Sequence, residues 1–449
     1  MTTGRRELVE RIWARDPTIW TGRDEAKWLG WLEEPSRMEE DVEPLLSLAD
    51  GAAGEFDDVV LFGMGGSSLA PEVLRRAFGG ERFHVLDTTH PRAIRELESR
   101  LDLRRTLFIA ASKSGSTIET RAHVDYFWKR ASRGSQWVAI TDPGSQLEQF
   151  ARARGFRAVV AGEPTIGGRY SALSPFGMVP AALLGVDVVR LLGHAREMAD
   201  ACRLDEGNPG IELGFELGHA WEEGRDKVCL PEGNGFGLWA EQLIAESTGK
   251  AGRGLIPAVG ESPDGSDRQA PELRLSEPHE LGREFYRWEF ATAVAGSILG
   301  INPFDQPDVQ SSKDRTAAVL AAGDGELNAD GSLEELLAEA SPGDYVSIQA
   351  FVHQIPSTEE TLAALAGRAR AATGCVVTIG YGPRFLHSTG QLHKGGPDTG
   401  LFLQVVEDYG DELKIPGRPF GFARLIRAQA AGDLAALRER GRRVARITI

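Results

Sequence analysis

Between Asp57 and Gly162 the chain carries five short apolar runs, each closed by small or polar residues, and the first four lead into helix-length segments. The runs are DVVLFGMGGSS, FHVLDTTH, TLFIAASKSGS, WVAITDPGS and RAVVAG. Val59-Val60-Leu61-Phe62 and Thr106-Leu107-Phe108-Ile109 are apolar without alternation, which suits strands buried on both faces. The pattern predicts an α/β fold with a parallel sheet flanked by helices. In such sheets ligands gather at the carboxyl ends of the strands.

The flanking sequence reads differently. Residues 5–50 carry Trp13, Trp20, Trp28, Trp31, Leu45, Leu46 and Leu48 at helical spacing among many charges, as amphipathic helices wrapping a larger body do. Residues 172–224 are helical in pattern, Lys227-Val228-Cys229-Leu230 reads as a strand, and LWAEQLIAE as a helix. The Gly- and Pro-rich stretch 256–280 reads as the longest loop, and FYRWEFATAVAGSILG as a long helix. Beyond the acidic stretch 323–343, DYVSIQAFV, CVVTIGYG and GLFLQVV read as strands of a second α/β unit, and AAGDLAALRERGRRVARI as a polar, solvated, Arg-rich helix. The expected division is a helical wrapping over 1–50, a first α/β domain over 51–170 and a second over 171–449. A length of 449 residues allows two or three domains, at roughly 150 residues each.

Composition narrows the function classes. With 50 Lys+Arg against 66 Asp+Glu the formal charge is 50 − 66 = −16, which disfavours non-specific binding to nucleic acid or to an anionic membrane. Cys202, Cys229 and Cys375 are far apart and form no CxxC, so they read as buried small residues in a reducing cytoplasm rather than a disulfide framework or zinc site. The N-terminal MTTGRRELVERIWARD lacks the apolar core of a signal peptide, and no apolar stretch of membrane-spanning length occurs.

Two strand-to-helix turns carry chemistry. Gly63-Met64-Gly65-Gly66-Ser67-Ser68, with Asp87 at the end of the next strand, approaches a dinucleotide fingerprint, but Ser68 stands where its third glycine belongs. Such a turn could bind a phosphate, a sugar or nothing. In Ser112-Lys113-Ser114-Gly115-Ser116-Thr117, hydroxyls, a lysine and free N–H groups at a helix N-terminus form an anion cradle. Ser116 and Glu119 could instead be a simple capping box. One capping hydroxyl would suffice for that, so four hydroxyls plus Lys113 favour a phosphate ester, and the absence of GxxxxGK[ST] argues against a nucleotide P-loop.

Further candidates are Arg169 in Gly167-Gly168-Arg169-Tyr170-Ser171, Glu246 at the end of an apolar helix, Gln306 and Lys313 in FDQPDVQSSK, and His387, Gln391 and His393 in LHSTGQLHKGG. Singly, each reads as well as a structural residue. Glu246 beside a sugar phosphate could serve as a general base.

Together GMGGSS (63–68), SKSGSTIET (112–120), GGRYSALSPFG (167–177), QLIAESTGK (242–250), GINPFDQPDVQSSK (300–313) and LHSTGQ (386–391) resemble the glucose-6-phosphate isomerase (phosphoglucose isomerase) family. The flanks DPTIWTGRDEAKWLGWL and GDLAALRERGRRV resemble more particularly the isomerase half of bacterial transaldolase–glucose-6-phosphate isomerase fusions, with no room here for the transaldolase barrel. The resemblance implies two doubly wound sugar-isomerase (SIS) units and interconversion of glucose 6-phosphate and fructose 6-phosphate through a cis-enediol, in glycolysis and gluconeogenesis, without cofactor or metal. Carried over by motif, Ser112, Ser114 and Thr117 with the Lys113 backbone would hold the 6-phosphate. Gly66, Ser67 and Gly168 would line the sugar and Gln306 would contact it. Arg169 would stabilise the enediolate, Glu246 would move the proton, and His387 with Lys313 would assist ring opening.

In that family the histidine motif lies between the glutamate and lysine motifs, and the histidine typically reaches the pocket from the neighbouring subunit. Here the order is Glu246, Lys313, His387, with His393 as the alternative histidine. Lys113, Arg169, Lys313 and helix N-termini are expected to reverse the sign of the acidic surface locally. A cytoplasmic location, a homodimer and a functional association with a transaldolase complete the expectations. The competing readings are a non-catalytic SIS-type sugar-phosphate sensor, which would need the cradle but no base, and an NAD-dependent oxidoreductase, which Ser68 disfavours.

Overall fold

The first five apolar runs form one sheet. In the computed structural model, which describes residues 2–323 and 327–449 and their side chains except at 2, 3, 234 and 309–313, β1 (Asp58–Phe62), β2 (Phe83–Leu86), β3 (Thr106–Ala111), β4 (Trp137–Thr141) and β5 (Ala158–Ala161) pair in the order β2-β1-β3-β4-β5. Every pairing is parallel, with Val60 opposite His84 on one side and Phe108 on the other. This is the doubly wound arrangement, and its strand order reverses between β1 and β3. Both faces are covered, as the unbroken apolar runs require. Leu61, Leu107 and Ile109 pack with Val73, Leu74 and the N-terminal helices, while Val60, Phe62 and Phe108 pack with Phe127 and Trp137.

The stretch read as the longest loop contains strands. β6 (Lys227–Leu230) lies between β7 (Ile256–Val259) and β8 (Arg268–Gln269) in a separate three-stranded parallel sheet. β9 (Tyr345–Phe351), β10 (Val376–Tyr381), β11 (Gly400–Val406) and β12 (Arg443–Thr448) form the last sheet, in the order β10-β9-β11-β12. Its pairings are parallel too, so it repeats the doubly wound plan of the first.

The chain's end corrects the expectation of a solvated tail. It forms the helix Phe422–Glu439 followed by β12. Phe422, Leu425 and Ala428 enter the core of the first sheet, whereas Ile426 and Ala430 pack with Phe351 and Phe385 beside the last. The helix is therefore a wedge between the two, with arginines only along its outer edge. Helix Leu281–Leu299 is buried nearly all round; Glu284 and Arg287 pair within it at 2.6 Å, and Arg283 reaches outward to Glu197 at 2.6 Å. The N-terminal segment is anchored on it: the Trp20 indole N–H donates to the Ala293 carbonyl at 2.7 Å, and the Tyr286 hydroxyl to the Leu32 carbonyl at 2.9 Å. All three cysteines are free and buried. Among the described residues no helix is long and apolar enough to cross a membrane.

Candidate active site

Two loops flank the point where the strand order reverses: residues 63–68 after β1 and 112–117 after β3. The first needs its glycines for close approach. A Cβ on Gly66 would collide with the Gly168 carbonyl, and one on Gly65, which has φ +54, with the His387 carbonyl. The turn thereby touches both the 167–171 loop and the 384–387 segment.

In the second loop the Ser112 and Thr117 hydroxyls lie 3.0 Å apart, as do those of Ser114 and Ser116, and Gly115 takes φ +67. Ser112 is buried, while Ser114 and Ser116 are exposed. Clustered hydroxyls ahead of the helix Ile118–Trp128 suit an anion. The Lys113 side chain does not join them: its ammonium sits 2.7 Å from Asp142 and donates to the Glu163 carbonyl at 2.8 Å. Its charge is neutralised locally, contrary to the expectation that it helps reverse the sign.

Arg169 is only 1% exposed, yet its guanidinium is fully engaged. It donates from Nε to the Ser247 hydroxyl (2.8 Å), from Nη1 to Gln306 Oε1 (2.9 Å), and from Nη2 to the carbonyls of Pro303 (2.7 Å) and Asp305 (2.8 Å). Its Nη1 lies 3.5 Å from Glu246 Oε1. A buried cation held by neutral acceptors, with a carboxylate beside it, is a charge fixed before any ligand arrives. Glu246 stands in the last turns of the helix Phe236–Thr248. One turn earlier, Gln242 donates both amide hydrogens, to Glu246 Oε2 and to the His387 carbonyl, each at 2.9 Å. Both neighbours are acceptors, so the amide has one workable orientation. Burial pushes Lys250 down to about 7, helped by the neighbouring Arg169. Its ammonium donates to Asn302 and Asp305, so it ties down the loop that holds Arg169.

His387 ends a short 3₁₀ turn, Arg384–His387. Its Nε2 lies 3.0 Å from Glu119 Oε1 of the same chain. Glu119 is thus not half of a capping box. Thr117 is the N-cap of its helix and makes no side-chain capping bond, and the carboxylate turns inward, where Gln429 also donates to Oε1 at 2.6 Å. His393 lies elsewhere, buried between Ser347 and Gln349 (3.1 Å) and the rings of Phe385 and Phe402. Burial holds its imidazole well below the usual range.

The structure therefore brings Gly65–Ser67, Gly168, Arg169, Glu246, Gln306 and the His387 segment together. Gln391 is committed to Asp308 and the Gly249 carbonyl. Lys313 lies on the helix Val309–Ala322, but its side chain is outside the described residues. Asp87, the residue that tempted a dinucleotide reading, forms a two-pronged pair with Arg384 at 2.6 and 2.8 Å. Sequence reasoning missed Gln242, Lys250, Gln429 and the orienting role of Glu119. Gln242 could have been found from its spacing of one helical turn before Glu246; Gln429 carried no signal.

Parallel sheets of this order, with a hydroxyl-rich loop at the reversal point, define a doubly wound α/β protein with a candidate ligand site at that point. Residues 38–205 match the family model described as phosphoglucose isomerase. Among relatives, a glucose-6-phosphate isomerase of Thermus thermophilus is 42% identical over 180 residues, which are 38% of this chain and 42% of that protein. That of Rippkaea orientalis is 33% identical over 266 residues, 51% of this chain and 50% of that protein. The chain thus spans half or less of the length of these relatives. Among solved structures, a protein described as hypothetical, also from Thermus thermophilus, superposes with a TM-score of 0.61 at 27% identity, over 71% of this chain and 96% of that one. A glucose-6-phosphate isomerase from Chlamydia trachomatis shares the fold, with a TM-score of 0.58 at 19% identity over 72% of this chain and 84% of that one.

Proposed function

We propose that the protein interconverts glucose 6-phosphate and fructose 6-phosphate through a cis-enediol. The observation that carries this reading is the buried Arg169 guanidinium 3.5 Å from the Glu246 carboxylate, in a chain whose first sheet also carries a loop of clustered hydroxyls at its reversal point. Aldose–ketose exchange needs one base to take the proton from C2 and return it to C1 on the same face, which suits one carboxylate. The negative charge that builds on the carbonyl oxygen meanwhile needs a fixed cation, which suits Arg169.

In this reading Ser112, Ser114, Thr117 and the Lys113 backbone N–H hold the 6-phosphate. Gly66, Ser67 and Gly168 line the sugar, and Gln306, already bonded to Arg169, contacts it. His387, oriented by Glu119, passes a proton to the ring oxygen during opening, with Lys313 assisting. The base distinguishes this reading from a sugar-phosphate sensor, which has no use for Glu246 beside Arg169. A cytoplasmic location, a homodimeric assembly and a functional association with a transaldolase belong to the same proposal. The test is a dehydrogenase-coupled assay of the purified chain with fructose 6-phosphate and a chelator present. Turnover is expected; binding of fructose 6-phosphate without turnover would favour the sensor.

A further inference from the structure

Glu119 Oε1 receives two donors, His387 Nε2 at 3.0 Å and the Gln429 amide at 2.6 Å, and the second comes from the buried wedge helix at the chain's end. The Gln429 amide is itself fixed: its Oε1 accepts from the Thr89 hydroxyl at 2.7 Å, so it can present only its NH₂ to the carboxylate. Gln429 is 1% exposed, Thr89 0% and Glu119 3%, so water does not compete for these bonds. The backbone beside Gln429 is also held, because the Ala430 carbonyl accepts from the Gln404 amide at 3.0 Å.

We propose that Gln429 is a positioning residue for ring opening, holding the Glu119 carboxylate, and through it the His387 ring, by a relay that begins at the Thr89 hydroxyl. This rests on the reading of His387 as the ring-opening group. A neutral amide suits the task, since it fixes the carboxylate without supplying a proton that would compete with the one His387 must move. With Nε2 directed at Glu119, Nδ1 is the nitrogen left for substrate, and it has no hydrogen-bond partner among the described residues. The titratable groups on the elements that meet here include Glu119 and His123 on the helix Ile118–Trp128, Arg384 and His387 on the 3₁₀ turn, Lys313 on the helix Val309–Ala322 packed on the wedge helix, and Asp433 one turn along the wedge helix, which is paired with Lys394 at 2.6 Å. Asp87, beside the loop that carries Thr89, is paired with Arg384.

The test compares Gln429→Leu, Gln429→Glu and Thr89→Val in the full chain, measuring kcat and KM from pH 6 to 9. Leucine removes the donor at similar volume, so kcat should fall about 10-fold with KM changed less than about 2-fold, the pattern of a group set slightly out of place. Glutamate places two carboxylates in contact, and they will share a proton at low pH. Its kcat should therefore be lowest at high pH and recover as the pH falls, a recovery that Gln429→Leu lacks. Thr89→Val should give a smaller loss, of about 3-fold, and serves if Gln429→Leu fails to fold. Native kcat in Thr89→Val and both Gln429 variants, or identical pH profiles in Gln429→Leu and Gln429→Glu, would overturn the proposal. If the native chain shows no isomerisation, the functional reading fails separately and proton NMR decides the relay. A slowly exchanging His387 ring N–H, assigned by its loss in His387→Asn, should be present in the native protein and gone in Gln429→Leu. Its survival there would refute the positioning role.

Discussion

The first and last sheets follow one plan and are used in opposite ways. Both are parallel and doubly wound, with the order reversing beside the leading strand. At the first, β1 and β3 run into a glycine-rich loop that touches the 167–171 and 384–387 segments and into a loop of clustered hydroxyls. At the last, β9 and β11 are followed by His353 and Glu407, and these groups are spent on each other and on the first unit. The His353 N–H donates to Glu407, the His353 ring lies 3.2 Å from Glu96, and Glu407 pairs with His90 at 2.5 Å. The strand-reversal point of a parallel sheet is thus an opportunity for ligand binding, not a guarantee of it. The last sheet serves the site indirectly, through the 384–387 segment that follows β10 and through the wedge helix that precedes β12.

Substitutions in both units can break or sharpen this contrast. The largest effect is expected from Glu246→Gln, which keeps the hydrogen-bonding shape but removes the base. kcat should fall by about 10³-fold while fructose 6-phosphate binding, followed by calorimetry, changes little. Retained turnover would move the base away from the reversal point of the first sheet. Next come the two histidines. His387→Asn should lower kcat about 10²-fold on cyclic substrate, whereas His393→Asn should change kcat less than about 3-fold and instead cost about 1 kcal/mol of stability, through Gln349 and Ser347. A larger kinetic loss at His393 would mean that the last sheet supplies chemistry from its own interior.

The last effect, on stability and not on turnover, concerns how the cations near Arg169 are held. Lys250 has a folded-state pKa of about 7, below its unfolded value of 10.5. Between these values the unfolded chain binds a proton that the folded chain lacks, so stability should rise with pH from about 7 towards 10, by at most about 1.4 kcal/mol per pH unit. Urea unfolding at pH 7, 8 and 9 should show that rise in the native protein and a flatter line in Lys250→Met. Equal slopes would mean that water reaches the ammonium.

The contrast also explains which parts were legible. β1, β3 and β4 announce themselves because both faces are buried and no polar residue interrupts them. β7 and β8 do not, because Pro257 breaks the apolar run and a two-residue strand exists only by virtue of β6 alongside. β12 hides behind Arg443 and Arg446. The latter is 5% exposed and donates to Gln404 at 2.7 Å and to the Ala430 carbonyl, partners that sequence spacing cannot supply. The same logic holds in the site. Arg169 and Glu246 stood out by their motifs, and their closeness is set by the fold. Glu119 was visible only as half of a possible capping box, since a glutamate early in a helix looks like a cap until a histidine from a distant segment arrives to claim it. The choice between His387 and His393, six positions apart, depends entirely on which of them meets a carboxylate.

The bonds at Glu119 link it to His387, 268 positions later, and to Gln429, 310 positions later. Closing such long spans is entropically costly and late in folding, whereas the first sheet can form from its own neighbours. On the ribosome, the hydroxyl-bearing loop after β3 would therefore be in place long before the histidine is seated. Under the proposed function, a chain lacking the helix Phe422–Glu439 would leave His387 unseated, so that turnover would report on whether that helix has docked.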